Sequence, residues 1–215
     1  MMKRTILCLI ILLMGSLWFG MLSAETSLGT IGGLTRFQLD GDRPDKAAYR
    51  TITGGMVGGI LEFSLTKSVT LSLQPSYIQK GTKIAFEVEG QKERVDSVDV
   101  KLDYFSVPVL VKVLTRGRRF YVLGGLEFGY LLDARYVTST EDSHIKDELE
   151  KYDLAVQFGV GYFIPVGRSR IFAEARYDQS ILNVKSDEES HTDERFGLRL
   201  KNSGWIFCAG FLIGL

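Results

Sequence analysis

Apolar side chains recur at every second position in eight stretches between Gly29 and Leu215, and no long stretch repeats them at the helical period. A period of two sends successive side chains to opposite faces of a strand, so each stretch reads as a strand with one apolar row. The first row is Ile31, Gly33, Thr35, Phe37 and Leu39, with Arg36 and Gln38 on the other face. The second runs Val57, Gly59, Leu61, Phe63 and Leu65, opposite Gly58 and Glu62. The third runs from Val69 to Tyr77, backed by Thr70, Ser72, Gln74 and Ser76. Phe105, Val107, Val109, Val111 and Val113 form the fourth, opposite Tyr104, Ser106 and Lys112. The second half repeats the pattern in Phe120 to Leu132, Leu154 to Ile164, Ile171 to Tyr177 and Trp205 to Leu215. Opposite these rows stand Gly125, Glu127, Asp153, Gln157, Glu174, Arg176 and Asp178.

The connections alternate in length. Three are tight, at residues 66–68, 115–119 and 165–169; four are long and polar, near 40–52, 81–101, 136–152 and 179–202. Short turns alternating with long loops predict an all-β fold, an eight-stranded antiparallel up-and-down transmembrane β-barrel with both termini on the periplasmic side. The 81–101 connection keeps alternating through Ile84, Phe86, Val88, Val98 and Val100, which predicts a hairpin standing above the membrane.

Period alone does not say which face is enclosed. A soluble lipocalin-like barrel would turn the apolar rows inward around a ligand. The other rows here are a poor water-facing surface, because glycines such as Gly125, Gly159, Gly161 and Gly210 dominate them. Small residues mixed with single charges suit the crowded interior of a narrow barrel. Arg36, Lys112 and Arg176 supply three cations on those rows, and Glu62, Glu127 and Glu174 supply three anions. A balanced set of buried charges survives by pairing, so these six are expected as an interior ionic cluster in a plugged lumen. A small-solute channel is the competing use of the same interior. Phe37, Tyr77, Phe105, Tyr130, Tyr177 and Trp205 are expected in one interfacial belt, with Phe63 and Phe120 near the short turns.

The N-terminus reads as an export address. Lys3 and Arg4 precede the apolar stretch Thr5 to Phe19, and small residues end at Ser23-Ala24. That order predicts a signal peptide over residues 1–24 and a barrel domain over 25–215, with an uncleaved anchor as the alternative. Without residues 1–24, 24 basic groups face 26 acidic ones, and no strongly basic run marks the chain for nucleic acid. Cys208 is then the one cysteine, which excludes an internal disulfide and a thiolate metal cluster.

Reactive groups are sparse. His144 and His191 both fall in long connections, beside Ser143 and Ser190, and adjacency in sequence does not create nucleophile–base geometry. Two distant histidines have no metal-ligand spacing, and Asp40-Gly41-Asp42 and Asp187-Glu188-Glu189 read as solvated loop charge. No catalytic residue, metal or cofactor is expected. The expected partners are outer-membrane lipid and a cell-surface partner met through 81–101 and 179–202, with the chain itself a monomer.

Several segments resemble the PorT-type outer-membrane β-barrel family. The likeness rests on Tyr104-Phe105-Ser106-Val107-Pro108-Val109-Leu110-Val111-Lys112, on Tyr152-Asp153-Leu154 with Phe158-Gly159-Val160-Gly161-Tyr162, and on Ala175-Arg176-Tyr177 followed by Ile181-Leu182-Asn183-Val184. Ala155 and Ser180 stand where that family commonly has glycine. The resemblance implies an outer-membrane barrel of about eight strands without shared catalytic residues.

Overall fold

The computed structural model describes residues 25–41, 47–87, 95–137, 142–144, 149–182 and 200–215. Eleven strands are present among them: β1 (Thr26–Gly41), β2 (Ala47–Arg50), β3 (Ile52–Ser64), β4 (Val69–Leu73), β5 (Ser76–Glu87), β6 (Val95–Leu114), β7 (Phe120–Val137), β8 (Asp142–His144), β9 (Tyr152–Val166), β10 (Ser169–Ser180) and β11 (Leu200–Gly214). All pairings are antiparallel, and the sheet closes on itself through β1–β11 and β6–β7.

The wall has eight members, because β4 and β5 are one strand. Leu61 faces Leu73 and Gly58 faces Ser76 in a single register, and the pairing with β6 is equally continuous from Leu73–Val109 to Ser76–Ser106. Only Gln74-Pro75 interrupts the ladder. Proline has no N–H to donate. The Pro75 carbonyl still accepts from the Gly59 amide at 2.9 Å, and the Gln74 amide donates to the Pro108 carbonyl at 3.1 Å. Closure matters because an unpaired amide at hydrocarbon depth costs several kcal/mol.

Both ends of the described barrel meet the tight turns at one rim. The Leu215 amide donates to the Thr26 carbonyl at 2.9 Å, and the Ser64 amide to the Glu25 carbonyl at 3.1 Å. That rim is the periplasmic one by the convention of such barrels. At the other rim β5 and β6 stay paired out to Glu87–Val95. β6 has 20 residues, about twice what a tilted strand needs to cross the hydrocarbon, so its hairpin rises well above the bilayer. Beyond the aromatic belt its outward side chains include Lys83 and Asp99, 3.3 Å apart, as water-facing strands carry.

Seven of the eight wall strands turn the expected rows outward. Val57, Phe105, Phe128, Phe158, Ile171 and Phe207 are exposed, whereas Lys112 and Arg176 are fully buried. This is the reverse of a soluble ligand-carrying barrel. The first strand is the exception and corrects the sequence reading. Ile31, Thr35, Phe37 and Leu39 point inward, and Leu28, Leu34 and Arg36 point outward. Apolar residues occupy both of its faces, so alternation could not choose between them, and a one-residue slip exchanges the faces. Pairing chooses. Phe37 faces Gly204 and Arg36 faces Trp205, whose own side the strong row of β11 had already set.

The inward glycines have a defined use. Tyr121 lies across Gly161, Phe172 across Gly210 and Phe37 across Gly204, each directly opposite in register. A methyl group on any of these glycines would overlap the ring beside it. Aromatic rings thus cover glycines of the neighbouring strand and fill a lumen too narrow for two large side chains.

Candidate functional site

The barrel interior holds two layers of charge stacked along the axis. The one nearer the periplasmic rim is built from inward positions of β3, β6 and β10. Lys112 Nζ lies 2.7 Å from Glu62 Oε1 and 2.6 Å from Glu174 Oε1. Arg176 donates through Nε to Glu174 Oε2 at 2.7 Å, pairs with the same oxygen through Nη2, and donates to Gln74 Oε1 at 2.6 Å. The Tyr121 hydroxyl donates to Glu174 Oε1 at 2.5 Å. Lys112 also sits over the Tyr121 and Phe172 rings, 5.0 and 5.2 Å from their centroids, which favours the ammonium without a further anion.

The second layer, toward the long hairpins, has one cation. Lys80 Nζ is 2.8 Å from Glu127 Oε1, 3.1 Å from Asp153 Oδ2 and 3.2 Å from Asp178 Oδ1. Gln157 Nε2 donates to Glu127 Oε2 and, at 2.9 Å, to Asp178 Oδ2, so one amide ties two of the acids together. The Ser180 hydroxyl donates to Asp153 at 3.0 Å. Phe37 and Tyr104 present their ring faces to Lys80, with centroids 5.2 and 5.7 Å away.

Of the six residues assigned to the interior from sequence, Glu62, Lys112, Glu127, Glu174 and Arg176 lie in these layers, and Arg36 does not. Arg36 stands exposed on the outer wall between Trp205 and Thr53. That is the aromatic belt, where a long cationic chain reaches the headgroups. Phe37 leaves that belt for the interior, while Tyr130 with Tyr152 and Tyr177 with Trp205 pack along it, ring centroids 5.7 and 5.3 Å apart. Lys80 is the cation the sequence reading missed, because it fell at the edge of the 81–101 connection. Continuing the inward row Ser72, Gln74, Ser76 and Ile78 by one step reaches it. Asp153, Gln157 and Asp178 were placed on inward rows, and only the pairing with Lys80 makes them members of one cluster.

Among the described residues, no group of histidine, cysteine or acid side chains is arranged to hold a metal ion. Cys208 is buried and its thiol points at Glu174 Oε2, 3.8 Å away. His144 lies in β8, paired with Arg135 of β7; His191, Ser190 and residues 187–189 lie outside the described residues.

A closed antiparallel wall, apolar outside and ion-paired within, defines a transmembrane β-barrel of the outer-membrane class. The chain belongs to the outer membrane protein beta-barrel domain family, which it matches over residues 20–186. Among solved structures it is similar to Ail, the attachment invasion locus protein of Yersinia pestis, with 17% identity over 88% of this chain and 99% of that one, TM-score 0.45. Neisserial surface protein A is similar at 12% identity, over 88% of this chain and 97% of that one, TM-score 0.46. The outer membrane protein OprG from Pseudomonas aeruginosa is similar at 11% identity, over 89% and 97%, TM-score 0.45. At such identities the roles of those proteins do not transfer. No curated protein matches the chain.

Proposed function

We propose that this outer-membrane barrel is a non-conducting anchor that presents its long hairpins to a partner at the cell surface. The observation that carries the reading is the filled interior. Lys80, Lys112 and Arg176 are each 2% exposed or less, and each is engaged by acids from other positions of the wall. A solute crossing the lumen would have to part both layers, each held by charge-assisted bonds in a low-dielectric interior. What remains for function is the surface above the membrane, where the β5–β6 hairpin is the longest described projection.

On this reading residues 1–24 are a cleaved signal peptide, 25–215 are the barrel domain, the protein is a monomer of the PorT-type branch, and no catalysis is involved. Planar-bilayer recordings on the purified protein test the first half, with no discrete conductance steps expected; regular steps would replace the anchor by a small-solute channel. Deleting residues 84–98 tests the second. The shortened protein should still migrate as a heat-modifiable barrel and should lose attachment of whole cells to host or neighbour surfaces; undiminished attachment would assign the contact elsewhere.

A further inference from the structure

The two rims of the barrel treat charge differently. At the hairpin rim some cations are matched by acids: Lys83 with Asp99, and Arg135 with Asp103 and Asp133 at 3.3 and 3.1 Å. At the periplasmic rim the three turns carry Lys67, Arg116, Arg118, Arg119 and Arg168, all exposed, and Glu25 is the one exposed side-chain carboxylate among the described residues there. Glu62, just inside, is already engaged by Lys112. None of the five turn cations has an ion-pair partner among the described residues.

Four of these cations, all but Arg116, line a cavity. A space of about 640 Å³ opens at the periplasmic mouth, lined by Lys67, Arg118, Arg119, Arg168 and Arg170 together with Glu25. Its floor is built. Arg170 donates to the Ser27 hydroxyl at 2.9 Å, lies 3.6 Å from Glu62, and stacks over the Phe163 ring 4.9 Å from its centroid. Its walls are held too. The Thr66 hydroxyl accepts from the Ser68 and Val69 amides at 3.2 and 3.0 Å, and the Arg118 amide donates to the Thr115 carbonyl at 2.8 Å. Arg118 adopts a left-handed backbone with φ of 52°, a conformation that glycine would take without strain. An arginine there keeps a guanidinium at the mouth in spite of the turn.

We propose that the periplasmic mouth is a binding site for a soluble multivalent phosphate anion. Crowded guanidinium groups repel one another until an anion lies between them, and their planar donor forks match phosphate oxygens two at a time. Several forks spread around one cavity select a ligand with more than one phosphate group. The volume lies within the range of small-molecule sites. The mouth opens along the barrel axis toward the periplasm, not sideways into the bilayer, which favours a dissolved ligand over a lipid headgroup. The Phe163–Arg170–Glu62 floor closes it below, so the anion is held and does not pass through.

The test is calorimetric titration of the exported protein, residues 25–215, in non-ionic detergent with inorganic pyrophosphate, at low and at raised salt. Saturable binding that weakens with salt is expected. The double substitution Arg118→Gln/Arg168→Gln should weaken it by about tenfold or more, with heat-modifiable migration intact. Arg36→Gln, which removes an exposed cation from the outer wall, should leave it unchanged. Absence of pyrophosphate binding, or equal loss in both variants, overturns the proposal. A parallel arm in nanodiscs of phosphatidylglycerol or phosphatidylcholine separates the sources of phosphate. Retention of phosphatidylglycerol that depends on Arg118 and Arg168, without pyrophosphate binding, would make the mouth a lipid-headgroup contact and overturn the soluble ligand.

Discussion

The two charged layers inside the barrel solve the same problem with different arithmetic. Near the periplasmic end two cations, Lys112 and Arg176, meet two acids, Glu62 and Glu174. Toward the hairpins a single Lys80 meets three acids, Glu127, Asp153 and Asp178. The balanced layer can lose one member and keep a pair. The other layer has one keystone, and without it three carboxylates face each other away from water, where charge is expensive. Their surplus is held by Gln157 and Ser180, whose donated hydrogen bonds spread the negative charge without cancelling it. The two layers should therefore differ in which substitutions they tolerate.

The largest effect is expected from Lys80→Met, which strands three acids and should cost about 3–5 kcal/mol of unfolding stability. Urea titration of the protein in lipid vesicles, followed by tryptophan fluorescence, measures it. A cost no greater than that of Lys112→Met would erase the distinction between the layers. Glu174→Gln comes next, since it weakens Lys112, Arg176 and Tyr121 at once while Glu62 and Gln74 still accept; about 2–3 kcal/mol is expected in the same titration. Gly161→Ala removes no charge but drives a methyl group into the Tyr121 ring and the hydroxyl that donates to Glu174, and about 1–3 kcal/mol of overpacking is expected. A harmless substitution would mean that the ring sits loosely over the glycine. The smallest effect is the most telling. Asp178→Asn removes one of three like charges around Lys80, and stability should stay within about 1 kcal/mol or rise. The corresponding change in the balanced layer, Glu174→Gln, should do the opposite.

Seven strand faces were legible because each has one row rich in Val, Leu, Phe or Ile and another rich in glycine and polar groups. β1 was not, for its two rows are nearly equal: Leu28 and Leu34 on one, Ile31, Phe37 and Leu39 on the other. That one ambiguity carried both misplacements, Arg36 and Phe37. Lys80 was lost for a different reason. It lies where β5 leaves hydrocarbon, and a polar residue at such a point looks like the start of a loop until the strand is seen to continue to Glu87.

Alternation and connection length, both local properties of the chain, were enough to specify an eight-member barrel, its two unlike rims and the side of most strands that meets lipid. They suffice because a backbone crossing hydrocarbon has no water to bond and must close on itself. Which inward charges would meet was beyond them, for Lys80 and Asp178 are 98 residues apart in sequence and only barrel closure and strand stagger bring them within 3.2 Å. The facing of β1 was decided in the same way, by pairing with β11 across the full length of the chain, because register is a property of two strands and no single strand contains it.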